Sequence, residues 1–569
     1  MRSTRRPMLT SHAQLLIAFP LALLVGCGEG GPVRSVVGGL PAVVHVTVTP
    51  SAPSLVVGGT LGLTVSLTDS QNRPVFGKTV NWVSDATSIA MVDQLGVVTG
   101  LSAGSARISA TADGVSGAAT VSVTAPTGSG ASIVVDPAVT YQTMVAWEGD
   151  TQMGEIECDR NAFARYQPLV LDRVVNELGI NGVALGLRSG WENPTDEFPG
   201  ILAGTIPIQR LHDAAYYAIN DNADPFVANP NGFQWSMLDY KIETNVLPLR
   251  ARLAARGEKL YVRAIVGDWL RSDTPQPLRL MAQPEEYAEY VTEAFKHIRA
   301  KYGFSPDALD LTNEPEHTGY SGTQMGQALV AAGKRLAAAG FHPDFIGPAT
   351  TSMANASTFY DAIIAVPGAK QYLTDLSYHR YAGVSAATLQ AIGLRQQRDR
   401  IRTGMLEHIG SGIEDLWADL TVANNSSWMQ YALAYCGKKD DPSAGGVYYQ
   451  INQTDPANPK VNFTTRARVL RQVFLYVRAG AVRVGAASSA AGAVDAMAFR
   501  NATGRYVAVV YARSGGASVT VRGLPAGTYG ITYATAAQYG VPLADVTVAS
   551  GGTLSSAIPA AGVLTIFAR

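Results

Sequence analysis

The sequence predicts a multidomain protein: a (β/α)8 TIM barrel with a C-terminal β-sandwich, preceded by another small β-sandwich. Three observations predict it. Short apolar strands alternate with one-sided helices through the middle of the chain, the pattern of a parallel sheet wrapped by helices. Both flanks show short alternating strands with turn residues at close intervals. The 569 residues are too many for one hydrophobic core.

Residues 1–26 read as a signal peptide. Arg2, Arg5 and Arg6 precede an apolar run from Leu15 to Val25, too short and wrongly flanked for a membrane span. Residues 27–41 form a Gly-rich tether of the flexible kind. Residues 42–125 alternate with period two, clearest at Leu61-x-Leu63-x-Val65-x-Leu67, with Trp82 inside. Residues 126–132, containing Pro126-Thr127-Gly128-Ser129-Gly130, are the hinge into the barrel. The barrel is expected over 133–470 and the second sandwich over 471–569.

Within the barrel, strand one is expected at Thr143–Glu148, strand two at Gly182–Arg188 and strand three at Lys259–Val266. A crossover helix follows: Pro284, Glu285 and Glu286 open it, and Tyr287, Tyr290, Val291, Ala294, Phe295 and Ile298 recur at three-and-four spacing. Strand four is Ala308-Leu309-Asp310-Leu311-Thr312-Asn313-Glu314-Pro315. Strands five to seven are Phe345–Pro348, Leu376–Tyr381 and Thr403–Glu407, and Gly446–Gln450 is expected to close the ring as strand eight.

Strands four and seven each end in a carboxylate, Glu314 and Glu407. Pro315 disfavours helical angles at the residue before it, so Glu314 is expected to finish its strand in extended conformation at the rim, beside Asn313. A parallel barrel collects active-site groups from the C-terminal ends of its strands, so both acids are expected at one mouth. Paired carboxyl groups suit cleavage of a glycosidic bond, one giving a proton to the leaving oxygen and the other attacking the sugar carbon.

Asn-Glu-Pro after an apolar strand resembles the acid/base motif of the clan A glycoside hydrolases. From about residue 133 onward the chain looks like the family 30 type, with Tyr141-Gln142-Thr143-Met144-Val145 resembling the start of strand one. Phe474-Leu475-Tyr476-Val477-Arg478-Ala479-Gly480-Ala481 resembles the passage into that family's sandwich. Families 79 and 39 share the architecture and the two glutamates, so the family within the clan stays open.

The resemblance implies a retaining β-glycoside hydrolase acting on a polysaccharide or oligosaccharide, with Glu314 as acid/base and Glu407 as nucleophile. Asn313 would bind the hydroxyl beside the reacting carbon, and Arg188 would orient the nucleophile. His379 and Tyr381 would touch the nucleophile or the sugar. Trp147 and Trp269 are candidates for stacking on sugar faces. Many clan members floor the site with a Trp at the end of strand eight, where this chain offers Tyr448 and Tyr449. The alternative is a surface glycan-binding lipoprotein without catalysis, although a binder needs no paired acids.

Gly96–Gly100 and Gly104–Ile108 resemble bacterial Ig-like domains of group 2, which makes the first sandwich an Ig-like module. Leu24-Val25-Gly26-Cys27 resembles a bacterial lipobox, implying an acylated Cys27, a lipid anchor in the membrane and a place in the bacterial cell envelope. Gly28 after the cysteine leans toward the outer membrane or cell surface. Cys158 follows strand one and Cys436 precedes the expected strand eight, so the pair is a candidate disulfide in an exported protein. Only 16% of residues are charged and the net charge is −1, so nothing attracts nucleic acid as a partner. The eight histidines are scattered without ligand spacing, so no metal and no cofactor is expected. The partner is a carbohydrate substrate, and the protein is expected to be a monomer.

Overall fold

A computed structural model describes residues 42–569, apart from 57–59, 88, 101–103, 125–129, 270–277 and 559. The signal segment, the tether and Cys27 lie outside the described residues.

The first domain is a β-sandwich. A four-stranded sheet is built around the hairpin of Gly104–Ala112 and Val115–Thr124, faced by shorter strands. Alternate residues of the hairpin, Ala106, Ile108 and Ala110 with Ala119, Val121 and Val123, turn inward onto Trp82, as a two-residue side-chain period requires.

The barrel closes with eight parallel strands. The first seven are Ala146–Asp150, Gly182–Arg188, Tyr261–Gly267, Ala308–Asp310, Asp344–Ser352, Leu373–Ala382 and Arg402–Glu407. The eighth is Ser427–Gly437, which pairs with strand seven at Gly404 and Met405 and with strand one from Ala146. The expected closing strand at Gly446–Gln450 is Val447–Asn452, and it lies outside the ring. Strand eight runs for 11 residues, so its second half outruns strand one. Val447–Asn452 covers that half from Ala432 onward, and Lys460–Phe463 turns back on it.

The crossover helix Pro284–Tyr302 begins at Pro284, carries Glu285 and Glu286 in its first turn and stops at Gly303 with φ 71°, the conformation that only glycine adopts freely. A capping box between Ser321 and Gln324 starts the next long helix, Gly322–Ala338. These helices bury the outer faces of the strands.

The barrel interior is apolar in part: Ala184, Ile265 and Met429 form one group, and Ala308, Ile346 and Leu406 another. Between them Arg263, fully buried, pairs with Glu148 and Asp310 at 2.8 Å each.

The C-terminal sandwich is one rolled nine-stranded sheet. Its strands are not all C-terminal. Gly130–Thr143 lies in it, antiparallel to Val482–Ser488 and parallel to Ala517–Arg522, so part of the expected hinge and the expected start of the barrel belong to the sandwich. Ile133 and Val135 pack there with Val519, Val521, Leu554 and Ile566.

Candidate active site

Glu314 arrives at the mouth differently from expectation. Regular pairing of strand four stops at Asp310, and Glu314 adopts φ 52°, ψ 65°. Proline disfavours the right-handed helical well for the preceding residue, and here the chain takes the costlier left-handed well rather than the extended one. Two backbone bonds hold the turn: the Asn313 N–H donates to Val266 at 2.8 Å and the Glu314 N–H to Ala349 at 3.1 Å. Such angles cost a non-glycine residue about 1–3 kcal/mol and persist where surroundings enforce them. Pro315 then opens the short helix Pro315–Thr318.

Glu407 ends strand seven. A carboxylate oxygen of Glu314, one of Glu407 and a ring nitrogen of His379 lie within 4.8 Å of one another. Strand six supplies the partners of both acids. His379 Nδ1 lies 3.0 Å from Oε1 of Glu314, and the Tyr381 hydroxyl donates to Oε1 of Glu407 at 2.8 Å. Burial raises the Glu407 carboxyl above the usual range; the charge of His379 and the phenol of Tyr381 oppose that rise, and Glu314 adds to it. Burial works against a charged His379, yet Glu407 and Glu314, with Asp310 below, hold its pKa above the ordinary value.

Both glutamates line a cavity of about 460 Å³ with Asn313, Arg188 and Trp269. The buried Oδ1 of Asn313 has no hydrogen-bond partner among the described residues. Trp269 stacks on His317, with ring centroids 5.5 Å apart. Arg188 is at the cavity, but its guanidinium pairs with Glu155 at 3.2 Å and lies over the Tyr216 ring at 5.0 Å. Glu155 therefore stands where the nucleophile was expected as its partner.

Two expected sugar contacts lie elsewhere. Trp147 is 1% exposed, stacks on Phe474 at 4.6 Å and donates its indole N–H to the Val477 carbonyl; its side chain points out of the barrel toward the helix Thr465–Phe474. Tyr449 stacks on Phe463 at 4.8 Å and reaches Glu177, because its strand lies outside the ring. Cys158 and Cys436 are joined as a disulfide with Cα atoms 5.9 Å apart.

The sequence reading missed several cavity residues. Asp150, two residues past the expected end of strand one, lines the cavity; burial raises its carboxyl, against the pull of Lys241 and Arg188. Burial would raise Glu155 too, but Lys241 and Arg188 outweigh it and hold that carboxyl low. Lys241 is a fully buried ammonium paired with Glu155. Tyr431, on the unrecognised strand eight, lines the wall and donates to Gln152 at 3.2 Å. The signal for Tyr431 was the apolar run Trp428 to Leu433; nothing in the sequence marks Lys241 apart from other helical lysines.

Residues 42–133 match the family model of the bacterial Ig-like domain (group 2), and residues 480–532 match that of the glycosyl hydrolase family 30 beta sandwich domain. Among solved structures, the chain is similar to the catalytic domain of a family 30 xylanase C from Talaromyces cellulolyticus, with TM-score 0.54 and 17% identity over 77% of this chain and 100% of that one. A conserved exported protein from Bacteroides fragilis gives TM-score 0.56 and 12% identity over 76% and 99% of the two chains. An endo-β-1,6-glucanase gives 0.53 and 14% over 77% and 94%. No curated protein matches the chain. At these identities the structural likeness establishes the fold. In domain order and architecture, the chain resembles a glycoside hydrolase of the family 30 type carrying an N-terminal bacterial Ig-like domain.

Proposed function

We propose that the protein is a retaining β-glycoside hydrolase that cleaves a polysaccharide or oligosaccharide by double displacement. The observation that carries this reading is the approach of Glu314 and Glu407 oxygens within 4.8 Å at one cavity. Oxygens so close together fit retention, in which the carboxyl groups lie about 5–5.5 Å apart, better than inversion, which needs roughly 6.5–9.5 Å to admit a water.

In the first step a Glu407 oxygen bonds to the anomeric carbon while the bond from that carbon to the leaving oxygen breaks, and Glu314 gives its proton to that oxygen. In the second, Glu314 takes a proton from water, the water oxygen bonds to the same carbon, and Glu407 departs as a carboxylate. His379 and Tyr381 favour the ionised form of Glu407 against burial, as a nucleophile requires. The unpartnered Oδ1 of Asn313 is available to a sugar hydroxyl, and Trp269 offers a face at the mouth.

A 2-deoxy-2-fluoro aryl glycoside should leave a covalent sugar on Glu407, found by mass spectrometry of the digested protein. The first product released from a substrate chosen from xylan, β-glucan, galactan and glucuronide panels should keep the β configuration. An α product, or full activity in Glu407→Gln, would sink the proposal.

We place the enzyme on the bacterial envelope through a lipid on Cys27, supported by the segment that precedes it in the sequence. Labelled fatty acid should enter the wild-type protein and not Cys27→Ser. Equal labelling of both would remove the anchor.

A further inference from the structure

A second group of acids lies apart from the Glu314–Glu407 pair. Glu192 follows barrel strand two, Asp221 stands in the loop after the short helix Leu211–Tyr216, and Glu286 lies in the first turn of helix Pro284–Tyr302. One carboxylate oxygen from each lies within 4.8 Å of the other two. Glu289 follows on the same helix. Glu192 and Glu289 are 0% exposed and Glu286 6%. Oε2 of all three glutamates and Oδ1 of Asp221 are buried with no hydrogen-bond partner among the described residues.

The compensation among the described residues is thin. Arg335 pairs with Glu289 at 2.9 Å, the Asn220 amide donates to Glu286 at 3.1 Å, and the Asp221 N–H donates to Glu192 at 3.3 Å. The Asn229 N–H donates to the other oxygen of Asp221. Buried like charges at this spacing must take up a proton or a cation. Burial first, then the neighbouring carboxylates, push Glu192 up to about 8. Glu289 rises to about 7, through burial and then Asp221 and Glu286, against the pull of Arg335.

We propose that Glu192, Asp221 and Glu286 bind one divalent cation, and that the ion is Ca2+. The donors are all hard oxygens, with no imidazole or thiolate, which selects Ca2+ or Mg2+ over softer metals. They come from the turn after strand two, a loop and a helix, an irregular set suited to the flexible six-to-eight-fold oxygen shell of Ca2+ rather than the strict octahedron of Mg2+. The unpartnered oxygens of these side chains are free to serve as ligands, and the nearby Glu289 carboxylate adds negative charge that acts on Glu192.

The ion would have a structural task. It would tie the turn after strand two and the Asp221 loop to the long helix, reinforcing the backbone bond from the Ile219 N–H to the Glu192 carbonyl at 2.7 Å. That loop continues directly from the helix whose Leu211, Ala215 and Tyr216 wall the cavity. The proposal stands independently of the hydrolase reading, since it is read from bound metal and stability.

The full chain should be stripped with EDTA, passed into chelator-free buffer at neutral pH, and titrated with CaCl2 and separately MgCl2. One Ca2+ per chain should be retained by elemental analysis, and Tm should rise by about 3 °C or more at saturating calcium. Magnesium should give a smaller shift at equal concentration. Asp221→Asn and Glu286→Gln should be at least as stable as wild type in EDTA, because like charge is removed, and should bind Ca2+ at least about tenfold more weakly. No retained calcium and no shift at millimolar CaCl2 would overturn the site, and this wild-type measurement decides even if a variant fails to fold. A double variant with wild-type affinity would overturn it as well. So would a Tm that climbs as the carboxyl groups take up protons yet ignores calcium.

Discussion

The Tyr381 hydroxyl donates to Oε1 of Glu407 at 2.8 Å, and two residues earlier on the same strand His379 meets Glu314 at 3.0 Å. Alternate residues of a strand share a face, so one strand addresses both acids. The phenol stabilises the ionised form of Glu407 and lowers a pKa that burial has raised.

Removing that hydroxyl leaves burial less opposed. In Tyr381→Phe the Glu407 pKa should rise further, so the acidic limb of kcat/KM, which falls as pH drops through that pKa, should move to higher pH. A hydrogen bond to a charged group is worth about 1.5–3 kcal/mol, a loss of roughly 10- to 100-fold. A pH profile on an aryl glycoside checks this; an unmoved limb would refute the coupling.

Glu407→Gln should lower turnover by more than about 1000-fold, as loss of a nucleophile does. Its Tm should match or exceed that of wild type, since a neutral amide replaces a carboxylate that burial disfavours. Calorimetry beside the assay separates lost chemistry from lost folding.

Arg263→Met should leave Glu148 and Asp310 buried without their cation, a cost of about 3–5 kcal/mol when both are ionised. Burial pushes Asp310 up to about 7 even with Arg263 present. Both carboxyl pKa values are raised in the fold, so the folded variant binds protons more tightly than the unfolded chain, and stability falls as pH rises through the raised values. The Tm gap to wild type should widen from about pH 5 to about pH 8. A constant gap would count against the variant's ionised pair.

Reduction of Cys158–Cys436 should destabilise the fold by roughly 2–5 kcal/mol. Cys436→Ser should show the same lower Tm with or without reductant, while wild type drops only when reductant is added. Thermal melts in both conditions make the comparison.

Local signals were legible. Proline, acids and spacing marked the helix Pro284–Tyr302, and Asn313-Glu314-Pro315 marked the acid at the mouth. The faces of residues fixed by closure were not. Whether Trp147 or Tyr449 enters the mouth depends on which strands pair, and Ser427–Gly437 and Val447–Asn452 compete as closing strand with similar composition. The Arg188 partner was hidden for the same reason: Glu155 and Lys241 come from segments whose meeting no local period encodes. Glu314 itself shows the limit of a local rule, because the constraint from Pro315 disfavours one well and leaves tertiary bonds to choose between the others.

The Gly130–Thr143 strand makes the catalytic barrel an insertion. The polypeptide lays down one strand of the sandwich, detours through the whole barrel, and returns at Val482 to pair with it. At the crossing, the Met144 N–H donates to the Ala481 carbonyl and the Gly480 N–H to the Met144 carbonyl, both at 2.8 Å, stitching the detour's entry to its exit. No single cut in the backbone can therefore free an intact barrel, and deletion from the C-terminal side strands an orphan edge upstream. Barrel and sandwich are thus topologically inseparable, whereas the strands of the Ig-like module end before the detour begins.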